Sequence, residues 1–409
     1  MNRIHTKKRP IITFFCAALA ISCLVSCGDK AKTLPHAVSE SSFSDSVENP
    51  FETEQHGENS DTHIYKTYSE NFIADAEIIL PGREQGDILT AKRYRYNKDK
   101  IISLFFGDNT PTVTEDPDGD TYFEAPDGSW AYLGTGYLHY ATNHRYEVQL
   151  PFENFSSDEE FSSLLPSYSQ IYQKDSLDFM TPDEAISKVK RFLSLLDIKV
   201  SDEVEIHAID CETMQEYQDY VREHDPDSAK QYRIKEQLTK DDEFYYLCFA
   251  MEQNGIPVTC YSERGERTNL FGSNIKVCLS KDGIFEFETE LLYTPEGTLR
   301  SANQLLTAEE ALDKAFKQFD ADSSIAQAKV EQMRFEYIME PNDSDYETVT
   351  LRPVWSLVVY QEDSSATKSA LVQKANIIDK GKYDISSDSV MRHVWMMDAE
   401  TGDILFIPH

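Results

Sequence analysis

The stretch "MTPDEAISKVKRFLSLL", residues 180–196, begins with the residue spacing of a helix N-terminus. Thr181 stands three residues before Glu184, so the Thr hydroxyl can accept one backbone N–H while the Glu carboxylate accepts another. Pro182 follows the Thr, at the favoured first position of a helix. Apolar residues then recur at helical spacing, which predicts an amphipathic helix with one buried face.

A second stretch, "LTAEEALDKAFKQFD" at residues 306–320, repeats this pattern. Thr307 and Glu310 have the same spacing, which is again that of a capping box. Leu312 and Phe316 continue the helical periodicity of apolar residues. Because the pattern returns after about 120 residues, it predicts duplicated domains rather than a solenoid of short repeats.

Candidate hairpins follow each helix. After the first helix come "FYYLCFAMEQNGIPVTCY" (244–261) and "IKVCLSKDGIFEFETELLY" (275–293), and near the chain end comes "HVWMMDAETGDILFIP" (393–408). Asn-Gly and Asp-Gly pairs in such runs predict tight turns, because these residues tolerate positive φ. The expected fold class is therefore α+β, with two or three repeated units, each an amphipathic helix packed on a small antiparallel sheet.

The C-terminal motifs resemble a known structural unit. "TAEEAL" (307–312), "PVWSLVV" (353–359) and "MMDAETGDILF" (396–406) are similar to the PepSY-type unit, whose helix packs across a small antiparallel sheet. The match covers residues 305–408, and it covers 180–293 more loosely, with "SKDG" in place of the final turn. The resemblance implies a regulatory or inhibitory extracytoplasmic module rather than a catalyst.

The N-terminus has the pattern of an export signal. A basic start is followed by an apolar run at 11–25, too short to span a bilayer with polar flanks. The run ends in "LVSC", which resembles the bacterial lipobox. The resemblance implies cleavage after residue 26 and a diacylglycerol thioether on Cys27. The predicted location is the extracytoplasmic face of the cell membrane, held by the lipid.

The remaining chain divides by composition. Residues 1–26 are the predicted lipoprotein signal peptide, and 27–62 are polar and acidic without periodicity, which predicts a disordered tether. The predicted folded units are an N-terminal α+β unit at 63–168, a middle PepSY-like unit at 169–299 and a C-terminal PepSY-like unit at 300–409. Whether 63–168 is a third copy of the repeat stays open. As a whole, the chain resembles uncharacterised surface lipoproteins of Gram-positive anaerobes that carry PepSY-like units.

The formal net charge of −33 limits the partners. So acidic a surface repels phosphate backbones, which argues against nucleic acid. The expected partners are the membrane, through the N-terminal lipid, and an envelope protein or wall component. The polar segment 364–389 is a candidate contact surface. No cofactor is expected.

No catalytic motif occurs in the sequence. The ten histidines show no zinc-protease spacing, and no nucleophile elbow or phosphate-binding loop is present. Four histidines in regular segments are expected to be ordinary strand residues: His139, His144, His207 and His393. The predicted function is therefore non-catalytic binding or regulation. The alternative is a solute-binding lipoprotein that holds a small ligand or peptide between units, with four aromatic residues lining the cleft or packing in the core: Trp130, Tyr137, Trp355 and Trp395.

One acidic loop has partial calcium-site spacing. Four aspartates fall at positions one, three, five and twelve of a calcium loop: Asp116, Asp118, Asp120 and Asp127. Thr121 stands at position six, where the sharp turn of such a loop needs glycine. No metal site is therefore predicted.

Four cysteines of the middle unit are candidates for disulfides, with three possible connectivities, or for free thiols: Cys211, Cys248, Cys260 and Cys278. A two-residue turn at Asn254–Gly255 would align Cys260 with Phe249, whereas a three-residue loop would align it with Cys248. The sequence leaves this choice open.

The lipid anchor gives a first testable prediction. In the Cys27→Ser variant the acyl chains have no sulfur to attach to, so the protein should leave the membrane fraction and change its gel mobility. Membrane fractionation with an immunoblot measures both effects, and Cys23→Ser, outside the lipobox, is the matched control. A Cys27→Ser protein that remains as firmly membrane-bound as the wild type would contradict the anchor.

Overall fold

The fold is given by a computed structural model that describes residues 62–81, 86–117, 119–134, 136–148, 172, 174–224, 235–261, 263–264, 269–302, 304–342, 346–364 and 390–407. All of these residues belong to one compact unit. The predicted signal peptide, the tether up to residue 61 and the contact segment after residue 364 lie outside the described residues.

The described residues form nineteen strands. In chain order these are β1 (His63–Ser69), β2 (Phe72–Ile79), β3 (Ile88–Arg93), β4 (Thr112–Glu115), β5 (Thr121–Glu124), β6 (Trp130–Gly134), β7 (Tyr137–Ala141), β8 (Val200–Ile209), β9 (Phe244–Gln253), β10 (Ile256–Pro257), β11 (Glu263–Arg264), β12 (Asn269–Leu270), β13 (Asn274–Ser280), β14 (Gly283–Glu290), β15 (Tyr293–Arg300), β16 (Ile325–Pro341), β17 (Thr348–Asp363), β18 (Val390–Asp398) and β19 (Ile404–Phe406).

Five α-helices accompany these strands within the described part of the chain: α1 (Lys98–Ile101), α2 (His144–Glu147), α3 (Pro182–Leu195), α4 (Cys211–His224) and α5 (Ala308–Ala321). A π-helical turn (Ile102–Phe106) continues α1, and a 3₁₀ turn (Lys240–Asp242) precedes β9. None of the described helices combines the length and apolar character that crossing a bilayer requires.

The two predicted helix starts are confirmed. At α3, Thr181 Oγ1 accepts the N–H of Glu184 at 3.3 Å, and Glu184 Oε2 accepts the N–H of Thr181 at 2.9 Å. At α5, Thr307 and Glu310 make the same pair of bonds at 3.2 and 2.9 Å. Each box satisfies two backbone donors that the first helical turn leaves without a partner.

Two large sheets carry most of the fold. The first has eight strands in the order β1-β2-β16-β17-β18-β19, with β3 pairing one end of β17 and β15 pairing β3. The second has nine strands in the order β10-β9-β13-β14-β7-β6-β5-β4, with β8 also pairing β9. All of these pairings are antiparallel except that of β2 with β16.

The expected fold class is therefore wrong. The strands do not form repeated small sheets, each with its own helix. Strands β1–β3 from the N-terminal segment join the first sheet, while β4–β7 from the same segment join the second. The physical reason is that a turn signal specifies only which two strands form a hairpin. It says nothing about the outer edge of that hairpin, which here pairs with a strand from a distant part of the chain.

Helices α3 and α5 cover different sheets but share one apolar core. Against the first sheet, the ring of Phe72 lies 5.1 Å from that of Phe319 in α5, measured between centroids. Against the second sheet, Phe192 of α3 lies 5.7 Å from Phe287. These side chains belong to, or pack against, one continuous cluster of buried apolar residues that includes strands of both sheets.

Strand β9 is buried on both of its faces. Tyr245 and Leu247 point into the core that contains α3, whereas Phe244 and Tyr246 point into a second cluster that includes Met214 of α4. A strand covered on both faces appears in the sequence as a nearly continuous apolar run. This explains the composition of the stretch at 244–249.

The chain crosses from the second sheet to the first just after β10. The N–H of Thr259 donates to the carbonyl of Tyr337 in β16 at 2.9 Å, and the returning Phe271 donates to Met339 at the same distance. Gly272 lies under this crossing. A Cβ at that position would stand 2.3 Å from the carbonyl oxygen of Tyr261 and 2.5 Å from that of Thr259.

The crossing gives a prediction for stability. Gly272→Ala should destabilise the protein by about 1–3 kcal/mol, because the methyl group has to displace backbone rather than a flexible side chain. Thermal or denaturant unfolding measures the loss. Gly297→Ala is the matched control, since an added Cβ there meets no atom within 4 Å. Equal stability of the two variants would contradict the close packing at the crossing.

Candidate functional site

A polar pocket of about 360 Å³ lies at one end of the second sheet. Three short segments form it: the turn and α2 after β7, the 3₁₀ turn before β9, and the turn between β13 and β14. Its titratable groups include one histidine, several carboxylates and two lysines. The pocket is therefore a candidate for a catalytic or metal-binding site.

The centre of the polar pocket is an ion-pair network. Nδ1 of His144 lies 3.1 Å from Oε2 of Glu147. The ammonium of Lys235 lies 2.8 Å from the same Glu147 oxygen and 2.6 Å from Oδ1 of Asp242. The other oxygen of Asp242 accepts the N–H of Thr239 at 2.9 Å, which closes a capping box. One lysine thus holds two carboxylates that are far apart in sequence.

The ion pairs shift the pKa values of all three charged groups. Burial alone would raise the pKa values of Glu147 and Asp242. Hydrogen bonds and charge interactions with Lys235, together with the contact of His144 with Glu147 and the hydrogen bonds from Thr239 to Asp242, outweigh burial and lower both pKa values. Burial alone would likewise lower the pKa of Lys235, yet its two carboxylate partners raise it. Glu147, Asp242 and Lys235 are therefore charged over a wide range around neutral pH.

The same residues include a set of metal-ligand types. His144, Glu147 and Asp242 each offer one ligand atom, and these atoms all lie within 4.8 Å of one another. Zinc holds such ligands at about 2.0–2.2 Å. Here the Lys235 ammonium bonds both carboxylates, so a metal ion would have to displace it. As observed, the network is an ion-pair cluster built around lysine.

Sequence reasoning did not find this cluster. His144 and Glu147 are three residues apart, which is compatible with one helical turn, but Asp242 comes about a hundred residues later and Lys235 lies outside any motif. No local signal joins the two parts. Only the pairing of β7 with β14, and of β9 and β14 with β13, brings them together.

A second polar cluster lies on the same sheet, around His139. Its Nε2 is 3.0 Å from Oε1 of Glu286, and Nε of Arg145 lies 3.0 Å from the same oxygen. Nδ1 of His139 is 3.3 Å from the hydroxyl of Tyr137. Trp130 packs edge-to-face on the imidazole at 4.8 Å. Both ring nitrogens of His139 are thus engaged by neighbours.

His207 and His393, two more of the histidines predicted to be ordinary strand residues, lie in β8 and β18. His207 lies 2.6 Å from Glu205 through Nε2 and stacks on Tyr246, and His393 is half-buried in β18. Of the four aromatic residues named as cleft candidates, Trp355 and Trp395 are buried in the core. Trp130 and Tyr137 are half-buried beside His139.

The described aspartates of the partial calcium loop do not lie close together. Asp116 and Asp120 form the turn between β4 and β5, where Asp116 Oδ1 accepts the N–H of Asp120 at 3.0 Å. Asp127 lies beyond the opposite end of β5 and accepts the N–H of Ser129 at 2.9 Å. Asp118 lies outside the described residues. The intervening strand separates residues that a calcium loop would bring together.

The structure shows where the four candidate cysteines lie and that they are not joined by disulfides. The turn at Asn254–Gly255 has two residues, since Gln253 pairs with Ile256. The ladder ends at Pro257, so Cys260 lies beyond it and is not aligned with Phe249 by this turn. All four cysteines are present as thiols: Cys211, Cys248, Cys260 and Cys278.

An apolar groove runs along the outer side of α3. Phe105, Tyr140, Phe192 and Leu195 form its apolar surface, and we call it the helix groove. Its volume is about 320 Å³, and one side is open to solvent. The rings of Phe105 and Tyr140 lie 4.6 Å apart, and those of Phe105 and Phe192 lie 5.0 Å apart. Leu195 leaves 53% of its surface exposed.

Two cations flank the helix groove. Lys188 and Arg191 line it from the exposed side of α3. Among the described residues, neither forms an ion pair, whereas the neighbouring Lys190 pairs with Asp202 at 2.8 Å. In a chain with a net charge of −33, two cations without an ion pair among the described residues, beside partly buried aromatic rings, make this an unusual patch.

Comparisons with known proteins find a protein of similar structure but indicate no activity. Neither a protein-family model nor a curated protein sequence matches this chain. An uncharacterised protein from Eubacterium rectale, known from a crystal structure, is similar with a TM-score of 0.57 and 16% sequence identity. The similarity covers 85% of this chain and 94% of that protein. At this identity it is the fold that is shared.

The ion-pair network of the polar pocket gives a prediction with a defined pH dependence. Lys235→Ala should lower the free energy of unfolding at pH 7 by about 1–3 kcal/mol, because it leaves the buried Asp242 carboxylate without its charged partner. Denaturant unfolding measures the loss. Lys281→Ala, in the same pocket but with exposed partners, should cost less than about 1 kcal/mol.

The sign of the pH effect follows from the pKa shifts. Glu147 and Asp242 have lowered pKa values in the folded state, so their contribution is present above the unfolded pKa of about 4 and is lost as the pH falls through the folded value. The raised pKa of Lys235 keeps its contribution present below about pH 10. The difference in the free energy of unfolding between the wild type and Lys235→Ala should therefore become smaller below pH 4. A difference that stays constant down to pH 2 would argue against the network.

Proposed function

We propose that this chain is a lipid-anchored, extracytoplasmic, non-catalytic binding protein that acts on an envelope protein or wall component. The lipobox-like end and the acidic tether support the location. The observation that carries the binding role is the helix groove, where apolar surface and two cations without an ion-pair partner among the described residues lie together on the outside of α3.

The chemistry of the groove defines its occupant. The partly exposed rings of Phe105 and Phe192, together with the exposed side chain of Leu195, suit an apolar or aromatic side chain. Lys188 and Arg191 at the rim suit a carboxylate next to that side chain. The occupant we propose is an exposed segment of a partner protein that presents a large apolar residue flanked by acidic residues.

The open side of the groove favours a protein segment over an enclosed solute. Pockets that hold small molecules bury about 70–90% of the ligand surface. A groove that is open along one side buries one face of its occupant, as happens when a partner segment lies across a helix. A rigid helix face is also a precise place for such contacts.

The alternative function, a solute-binding lipoprotein, is favoured by two features of the groove. The groove volume of about 320 Å³ lies at the lower end of the range for small-molecule pockets, about 300–1,000 Å³. The groove also combines Leu104 and Phe105 from the N-terminal segment with α3 from the middle segment. A hydrophobic carboxylic acid of small size is the solute that the same side chains would recognise.

Synthetic peptides test the proposal. Six-residue peptides with a central Phe between two Glu residues should bind the full-length protein in lipid vesicles, and their affinity should fall with added salt. Lys188→Gln together with Arg191→Gln should weaken binding about tenfold, because two charge interactions are lost. Leu195→Ala should also weaken peptide binding. It should leave the fold intact, because the Leu195 side chain is already half exposed. Fluorescence polarisation with labelled peptides measures each affinity.

The matched control is Lys190→Gln, which removes the same charge from the same helix but not from the groove. It should leave peptide affinity unchanged. Equal losses in Lys190→Gln and in the double variant would show a general charge effect and contradict the groove as the site. Phenylpropionate that competes as well as the peptides do would favour the solute-binding alternative.

A further inference from the structure

The polar pocket brings together three side chains of the types that bind transition metals. His144 and Glu147 come from α2, and Asp242 ends the 3₁₀ turn before β9. Their ligand atoms, one imidazole nitrogen and two carboxylate oxygens, all lie within 4.8 Å of one another. In a tetrahedral zinc site, neighbouring ligand atoms lie about 3.4 Å apart. Shifts of about 1 Å would therefore bring the three atoms to zinc-binding distances.

Two of these three side chains are held in place by other contacts. The carboxylate of Asp242 is buried, and its Oδ2 accepts the N–H of Thr239 at 2.9 Å and the Thr239 hydroxyl at 3.0 Å. Its Oδ1 accepts a bond from Lys235 at 2.6 Å. The imidazole of His144 packs edge-to-face on the ring of Phe285, with the centroids 4.8 Å apart. Contacts of this kind fix the orientation of metal ligands.

The charges around the pocket favour a divalent cation. Four carboxylates and two lysines line it: Glu147, Asp241, Asp242, Asp282, Lys235 and Lys281. Counted without the histidine, the lining has two more negative charges than positive ones. A divalent cation offsets this excess. An imidazole among the ligands favours zinc over calcium and magnesium, which prefer oxygen ligands.

Lys235 occupies the position that such a cation would take. Its ammonium bonds both carboxylates, at 2.8 Å from Oε2 of Glu147 and at 2.6 Å from Oδ1 of Asp242. The two carboxylates need a positive charge near them, and the lysine supplies one. The Lys235 side chain is 38% exposed, so its flexible stem can turn toward solvent and leave the site.

We propose that the polar pocket binds one Zn²⁺ ion in exchange for the Lys235 ammonium. The three protein ligands are Nδ1 of His144, Oε2 of Glu147 and Oδ1 of Asp242. Two ion pairs with lysine are broken and three bonds to zinc are formed, and the carboxylates have a cation beside them before and after the exchange. Three protein ligands leave the fourth tetrahedral position for a water molecule or an outside ligand.

This inference goes beyond the proposed binding of a protein segment. It uses none of the side chains that are proposed to bind the peptide, so a failed peptide experiment leaves it standing. Zinc would join α2 to the turn before β9, two elements that are about a hundred residues apart in the sequence. The pocket would then respond to the supply of a metal ion, in addition to its contribution to stability.

Zinc titration of the purified full-length protein, in detergent and without a histidine tag, tests the proposal. Added Zn²⁺ should raise the melting temperature of the wild type, because an ion that binds the folded state stabilises it by mass action. The rise should be larger in Lys235→Ala, where no ammonium competes for the carboxylates. This variant should bind Zn²⁺ about tenfold more tightly in isothermal titration calorimetry. Ca²⁺ at the same concentration should have little effect on either protein.

Three further variants separate this site from other zinc ligands in the chain. Lys281→Ala removes the same charge from the same pocket and should respond to Zn²⁺ as the wild type does. His144→Ala and Glu147→Gln should each weaken zinc binding about tenfold, and either one suffices if the other folds poorly. The proposal is overturned if Zn²⁺ leaves the wild-type melting temperature unchanged, if Lys235→Ala and Lys281→Ala show equal rises, or if the ligand variants bind Zn²⁺ as tightly as the wild type.

Discussion

The fold depends on the burial of its central strands on both faces. Strand β9 has apolar clusters on either side, and so does the part of β17 around Val354 to Val359. A strand in this position has no water to satisfy its backbone, so both of its edges must be paired within a sheet. For β9 the neighbours are β8, β10 and β13, and for β17 they are β16, β18 and β3. Of these neighbours, β3 comes from a distant part of the chain.

This constraint explains how two locally similar helix-and-hairpin segments end up in one joint structure. Each capped helix covers one face of its sheet, α3 on the second and α5 on the first. The remaining edges are closed by strands from the N-terminal segment, β2 against β16 and β7 against β14. Small separate sheets would have left these edges open, and an exposed edge is a template for aggregation.

The charges are distributed unevenly over this frame. In the polar pocket, Lys235 already bonds the carboxylates of Glu147 and Asp242, and its expected contribution is to stability. In the helix groove, Lys188 and Arg191 lie beside aromatic surface and bond to no described carboxylate. A cation that already has a partner gains little from a ligand, whereas an unpaired one can supply both attraction and orientation. For this reason the groove, and not the more polar pocket, carries the proposed binding function.

The sequence by itself determined the features that depend on a few neighbouring residues. Thr181 with Glu184 and Thr307 with Glu310 predicted the two helix starts, because a capping box spans only three residues. The Asn254–Gly255 turn was predicted for the same reason. Strand order and the meeting of His144 with Asp242 were decided only by the tertiary structure. These depend on which distant edges pair and on where the chain leaves a ladder, and such choices are made by the burial of the whole core rather than by any local preference.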